Sequence, residues 1–185
     1  MGREQHIEDQ VIRSLAWFGY EEALWIRRAK LGREGFGTVD LLLLPECGPH
    51  RLVLIEVKHQ ESHDTPGRLF GQLLAYYLAS LRLGTDGLNH LRQFAQTPRA
   101  HDTKGKSLQM LSGLGHGCKP RDLEALRAGK KLTPEEIGLV VVIGRSDDAG
   151  ERRECFMDLR AWLKAKGALD IRVAIARSDS SFEWV

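Results

Sequence analysis

The chain has 185 residues, 42% of them hydrophobic and 28% charged, with a formal net charge of +2. That length and balance fit one globular domain with a sizeable core. They exclude binding through overall charge, so any surface that attracts nucleic acid has to be local. The three cysteines, Cys47, Cys118 and Cys155, are scattered, with no CxxC pair and no disulfide framework, which points to a reducing cytoplasm. The amino terminus, MGREQHIEDQ, has no apolar signal core. No run approaches the roughly 18 apolar residues of a membrane span, so no membrane partner is expected.

In chain order, Ile7, Val11, Leu15 and Phe18 recur at helical spacing and predict a helix over 4–18, ended by Gly19. Residues 22–30 read as a strand, and GREGFG as a loop after it. Residues 38–44 and 51–58 are strands by propensity and length, joined by the turn PECGPH. Residues 67–83 form a second amphipathic helix. Residues 139–143, LVVVI, read as a buried strand, 151–166 as a third helix, and 170–176 as a last strand. The order α-β-β-β-α-β, then α-β, predicts an α/β fold with a mixed central sheet flanked by helices. Residues 84–137 hold nine Lys and Arg against six Asp and Glu. They read as an insertion or mobile basic region before the fourth strand, with short helices at 107–112 and 119–128, inside a single domain spanning 1–185.

The hairpin VDLLLLPECGPHRLVLIEVK carries three charges, Asp40, Glu56 and Lys58, inside apolar runs. A turn centred on Gly48 sets Asp40 opposite Glu56 on one face, with Cβ atoms about 4.5–5.5 Å apart. Lys58 shares that face, and Leu42, Leu44, Leu52 and Leu54 continue it as core. Val39, Leu41, Leu43, Val53, Ile55 and Val57 form the other face. Two carboxylates directly opposed are destabilising unless something neutralises them. A hard divalent cation does so, and Mg²⁺ bound by one or two carboxylates leaves positions for phosphate oxygens. An ammonium two residues away can stabilise charge that develops on a phosphate. The plainer alternative is a structural cluster in which both acids pair with Lys58.

The pattern resembles the PD-(D/E)XK nuclease superfamily. The resemblance rests on Val39-Asp40, on Glu56-Val57-Lys58 in the next strand, and on the following helix with Gln72 and Tyr76, a Gln-x-x-x-Tyr spacing like that of the RecB-like branch. It covers residues 4–83, and extends to the strand at 139–143. Val39 stands where the family's proline would be, and three cysteines cannot build the four-cysteine cluster of some RecB-like members. The resemblance implies a restriction-endonuclease-like fold with an α-β-β-β-α-β core. It also implies a Mg²⁺- or Mn²⁺-dependent DNA nuclease that hydrolyses phosphodiesters with activated water. Asp40, Glu56, the Val57 carbonyl and Glu8 of the first helix would hold the metal. Lys58 would position the water, and Gln72 and Tyr76 would reach the site or the DNA backbone.

Glu4 and Asp9 are alternatives to Glu8, which lies nearest the apolar stripe. Arg27, Arg28, Lys30 and Arg33 precede the Asp40 strand and are expected at the DNA backbone. Lys104 and Lys106 are further phosphate-contact candidates. His90, His101, His116 and Cys118 fit no zinc spacing. A homodimer and a separate targeting chain are open as partners. The rival readings are a nucleic-acid-binding module without turnover and a protein-interaction domain of the same fold.

Overall fold

The structure is a computed structural model, and it describes residues 3–29, 38–59, 66–101, 127–144, 149–166, 169–177 and 181–185. Helix α1 spans Arg3–Arg13 and is followed by strands β1 (Leu24–Ala29), β2 (Val39–Leu44) and β3 (Leu52–Lys58). Helices α2 (Pro66–Ser80) and α3 (Thr85–Ala95) come next, then β4 (Ile137–Gly144), α4 (Ala149–Ala165), β5 (Ile171–Ala176) and β6 (Phe182–Trp184). The six strands form one sheet in sequence order. β1, β2 and β3 are antiparallel, β3, β4 and β5 are parallel, and β6 returns antiparallel on β5. The fold is α/β, with a mixed sheet flanked by helices. Among the described residues no helix is long and apolar enough to cross a membrane.

Each face of the sheet has its own core. Ile7 and Val11 of α1, with Leu15 in the turns that follow it, cover Leu41, Leu43, Val53, Ile55 and Val57. Leu69, Leu73 and Tyr76 of α2, with Leu88, Leu91 and Phe94 of α3, cover Leu42, Leu44, Leu52 and Leu54. Strands apolar on both faces are what a sheet with two covered faces requires.

Three expectations change. Helix α1 is shorter than 4–18: after Arg13 the backbone tightens into i→i−3 turns and stops at Gly19, whose φ of 82° suits a residue without Cβ. Residues 85–95, expected in the insertion, are a core helix, because Leu88, Leu91 and Ala95 at helical spacing are buried. The edge strand β6 was not expected, since a three-residue strand leaves too little periodicity to read. Most of the two short helices expected at 107–112 and 119–128 falls outside the described residues.

Residues 127–136, which lead into β4, are held close to α3. Gly84 and Lys131 form an isolated bridge. A Cβ at Gly84 would lie 1.8 Å from the Ala128 carbonyl oxygen, so only glycine fits there.

Candidate active site

The hairpin register is the one read from the sequence: Leu41 pairs with Ile55, Leu42 with Leu54 and Leu43 with Val53. Extending it by one residue sets Asp40 opposite Glu56. The turn contains Gly48 at φ 93°, a left-handed conformation that glycine adopts without steric cost.

At Asp40 the ladder gives way to a side-chain bond. The Val57 N–H donates to Asp40 Oδ2 at 2.8 Å. The alternation of faces also breaks there. Val39 packs with Leu42 and Leu44 in the α2-side core, whereas Leu41 packs on the α1 side. This corrects the expectation that Val39 shares a face with Leu41. Next door, Arg28, in β1 between the pairs Arg27–Leu41 and Ala29–Val39, has φ 51°.

Lys58 closes the cluster. Its Nζ lies 2.8 Å from Glu56 Oε1 and 4.0 Å from Asp40 Oδ2. Glu56 is 2% exposed, and its Oε2 has no hydrogen-bond partner among the described residues. Burial pushes the Glu56 carboxyl up to about 8, helped by the Asp40 charge and opposed by Lys58. Burial likewise pushes Asp40 up to about 6, against the pull of Lys58 and the Val57 N–H. The two acids titrate together rather than singly. Burial alone would lower the Lys58 ammonium, but Glu56 and Asp40 outweigh it and hold the group above its ordinary value.

The helices contribute unequally. Glu8 of α1 is 7% exposed, and Arg27 Nη1 donates to its Oε2 at 2.9 Å. Burial raises its carboxyl first, then the nearby Asp40 charge. Glu8 therefore feels the Asp40 charge but is held by an arginine. Glu4, one turn earlier, lends its charge to Asp40, Glu56 and Lys58 together. It is the residue that preference for the apolar stripe set aside, and its i−4 spacing from Glu8 was the available signal.

Tyr76 is 1% exposed and donates from its hydroxyl to the Thr38 carbonyl at 2.9 Å. Burial, then the Glu56 and Asp40 charges, raise its pKa well above the ordinary value. Of the two places expected for Tyr76, the site or the DNA backbone, the structure sets it beside the acids, where it pins the start of β2, two residues before Asp40. Gln72, one turn away on α2, keeps a buried Oε1 without a partner among the described residues.

The arginines expected at the DNA backbone divide. Arg27 is 6% exposed, with its terminal nitrogens on Glu8 and Asp9. It is a buried counter-ion and offers no charge to solvent. Arg28 is exposed. Lys30, Arg33, Lys104 and Lys106 lie outside the described residues. So do His116 and Cys118, while His101 packs against Trp25 with the rings tilted by 57° and their centroids 3.8 Å apart.

Among the described residues no three His, Cys, Asp or Glu side chains stand close enough to cage a metal ion. Two carboxylates on one face, one with an orphaned buried oxygen, do fit a hard divalent ion that keeps waters and phosphate oxygens as its other ligands. Searches against protein-family models, curated proteins and solved structures return no match, so the site stands on its own chemistry.

Proposed function

We propose that the chain is a Mg²⁺- or Mn²⁺-dependent DNA nuclease with a restriction-endonuclease-like fold, of the PD-(D/E)XK type. The observation that carries this reading is the buried, opposed carboxylate pair of Asp40 and Glu56 with an orphaned Glu56 oxygen beside Lys58. A protein gains nothing in stability from two such acids, since leaving a buried acceptor unsatisfied costs roughly 1–3 kcal/mol. Perturbed acids clustered at one place are a mark of a working site.

In this reading Asp40 and Glu56 hold the ion, with the Val57 carbonyl as a further candidate ligand. When bound, the ion supplies the Lewis acidity that neutralises the phosphate and acidifies an attacking water. The Val57 N–H fixes Asp40 in its rotamer. Tyr76 fixes the strand that carries it. Lys58 gives up part of its contact with the acids and turns to the phosphate oxygens, where charge accumulates during hydrolysis. Arg27 holds Glu8 in place and pulls its carboxyl down against the larger upward push of burial.

One observation favours a second reading. Lys58 already lies against both acids, so the three charges can neutralise one another as a structural cluster in a binding module without turnover. A cleavage assay separates the two. Supercoiled, linear, single-stranded and branched DNA are incubated with Mg²⁺, Mn²⁺ or EDTA, using wild type, Glu56→Ala and Lys58→Ala. Metal-dependent cutting that both variants lose supports the nuclease. Equal cutting by wild type and Glu56→Ala, in preparations free of contaminating nuclease, would sink it.

A further inference from the structure

Arg27 and Arg28 are adjacent in a β-strand, yet they meet opposite fates. Arg27 turns to α1 and is buried against Glu8 and Asp9. Arg28 is exposed, and among the described residues no hydrogen bond or ion pair holds its guanidinium. What separates them is the backbone. Arg28 is the one non-glycine residue with positive φ among the described residues, at 51°. That conformation is unfavourable for an ordinary L-residue, because it brings Cβ too close to the following carbonyl oxygen. Glycine or asparagine would relieve it, so the arginine is kept there against local preference. Strain of this kind gathers where a side chain has to be aimed.

The pairs on either side, Arg27–Leu41 and Ala29–Val39, set Arg28 opposite Asp40 on the neighbouring strand, about 4.5–5.5 Å away between Cα atoms. Across the sheet the order is therefore Arg28 on β1, Asp40 on β2, then Glu56 and Lys58 on β3. Two cations bracket two acids. Lys58 lies against the acids, whereas Arg28 makes no bond to them. A guanidinium beside a carboxylate that it does not bind is available to an anion from solvent, and its planar fork matches two phosphate oxygens. The charge of Arg28 is nonetheless felt at both Asp40 and Glu8, as its position requires.

We propose that Arg28 forms a phosphate subsite of this centre, its left-handed backbone aiming the guanidinium at the DNA phosphate that flanks the scissile bond. The proposal rests on the nucleic-acid reading of the site and names a group that grips the substrate. Arg27, its neighbour, has a structural part only.

Arg28→Asn is the informative variant, because asparagine tolerates the left-handed conformation while removing the charge. Anisotropy of a labelled DNA duplex, titrated in EDTA between about 50 and about 200 mM NaCl, reads binding apart from turnover. The dissociation constant is expected to rise about tenfold, and the slope of log affinity against log salt to fall by about one. Arg28→Lys is expected to keep the slope and recover part of the affinity. In Mg²⁺ the loss should fall on KM, with kcat within about threefold of wild type. The melting temperature of Arg28→Asn should equal or exceed that of wild type. Wild-type affinity and slope in Arg28→Asn would overturn the subsite, and so would a loss of affinity matched by a loss of thermal stability. Wild type that binds DNA and loses affinity in Arg28→Asn, but never cleaves, overturns the nuclease reading and leaves the subsite standing. Wild type without DNA affinity at any salt concentration in that range overturns both.

Discussion

At the amino-terminal ends of β3 and β4, Arg172 donates to the Tyr20 hydroxyl at 2.5 Å, and that hydroxyl lies 3.0 Å from His50 Nδ1. Because the tyrosine oxygen accepts from arginine, its own proton is left to donate to a neutral imidazole. Burial, with the Arg172 charge, lowers the His50 pKa and keeps the ring in that state. Even the space is fitted: a Cβ at Gly138 would press to 3.2 Å on both His50 and Tyr20. At the carboxyl-terminal end of β3 the polar groups are just as enclosed but not closed on themselves. Glu56 Oε2 and Gln72 Oε1 have no partner among the described residues, and both acids are pushed up by burial. One sheet thus contains a polar relay whose donors and acceptors match, and a polar cluster with acceptors in excess. The first is how a fold satisfies buried polar groups. The second is the arrangement on which the proposed metal site rests.

The comparison breaks most sharply on activity. Asp40→Ala and Glu56→Ala are each expected to reduce metal-dependent cleavage about a thousandfold or more, whereas Tyr20→Phe should leave kcat unchanged; steady-state assays on one DNA substrate test both.

Within the acid end, Arg27→Met should cost roughly 3 kcal/mol or somewhat more, because it strands the Glu8 carboxylate in the core. Urea unfolding at neutral pH measures that loss, and a change under 1 kcal/mol would mean that Glu8 finds water instead.

The raised acids give the metal-free protein a pH dependence of definite sign. The Glu56 carboxyl binds its proton more tightly folded, at about 8, than its ordinary 4.5. Its contribution is therefore fully present below about pH 4.5 and is lost as pH rises through about 8. Glu56→Gln should flatten that decline and stabilise the metal-free protein by roughly 1–3 kcal/mol at pH 8. Mg²⁺ should restore wild type at the same pH and release on the order of one proton on binding at neutral pH. Thermal melts across pH, with calorimetry in two buffers of different ionisation heat, read both quantities.

At the closed end, Tyr20→Phe removes one hydroxyl and leaves His50 and Arg172 each short of a bond. It should cost about 1–2 kcal/mol without a metal-dependent component. If Mg²⁺ rescued Tyr20→Phe in melts as it rescues wild type at pH 8 and to a greater extent, the two ends would be coupled and the contrast between them too simple.

Much of this was legible before any coordinates. The alternation of Val39–Leu44 and Leu52–Lys58 and the turn at Gly48 set the register, and a register fixes which side chains meet across a hairpin. Asp40, Glu56 and Lys58 could therefore be brought together on paper, and the structure brings them together. Helix α3 was legible too, in Leu88, Leu91 and Ala95, but the Gly- and Lys-rich composition around it masked the period. Local pattern could not separate Arg27 from Arg28, because a strand with ideal alternation gives no notice of a left-handed residue within it. Nor could it assign Tyr76, whose partner Thr38 is 38 residues away.

What the sequence by itself determined is the hairpin and its charges, because strand period and turn chemistry act over a few residues. What only the tertiary structure decided is the state of those charges. Which acid is buried, which arginine is spent on α1 and which stays open depend on how α1 and α2 close over the two faces of the sheet. Desolvation and pairing are properties of that closure, and they are set by contacts between residues far apart in the chain.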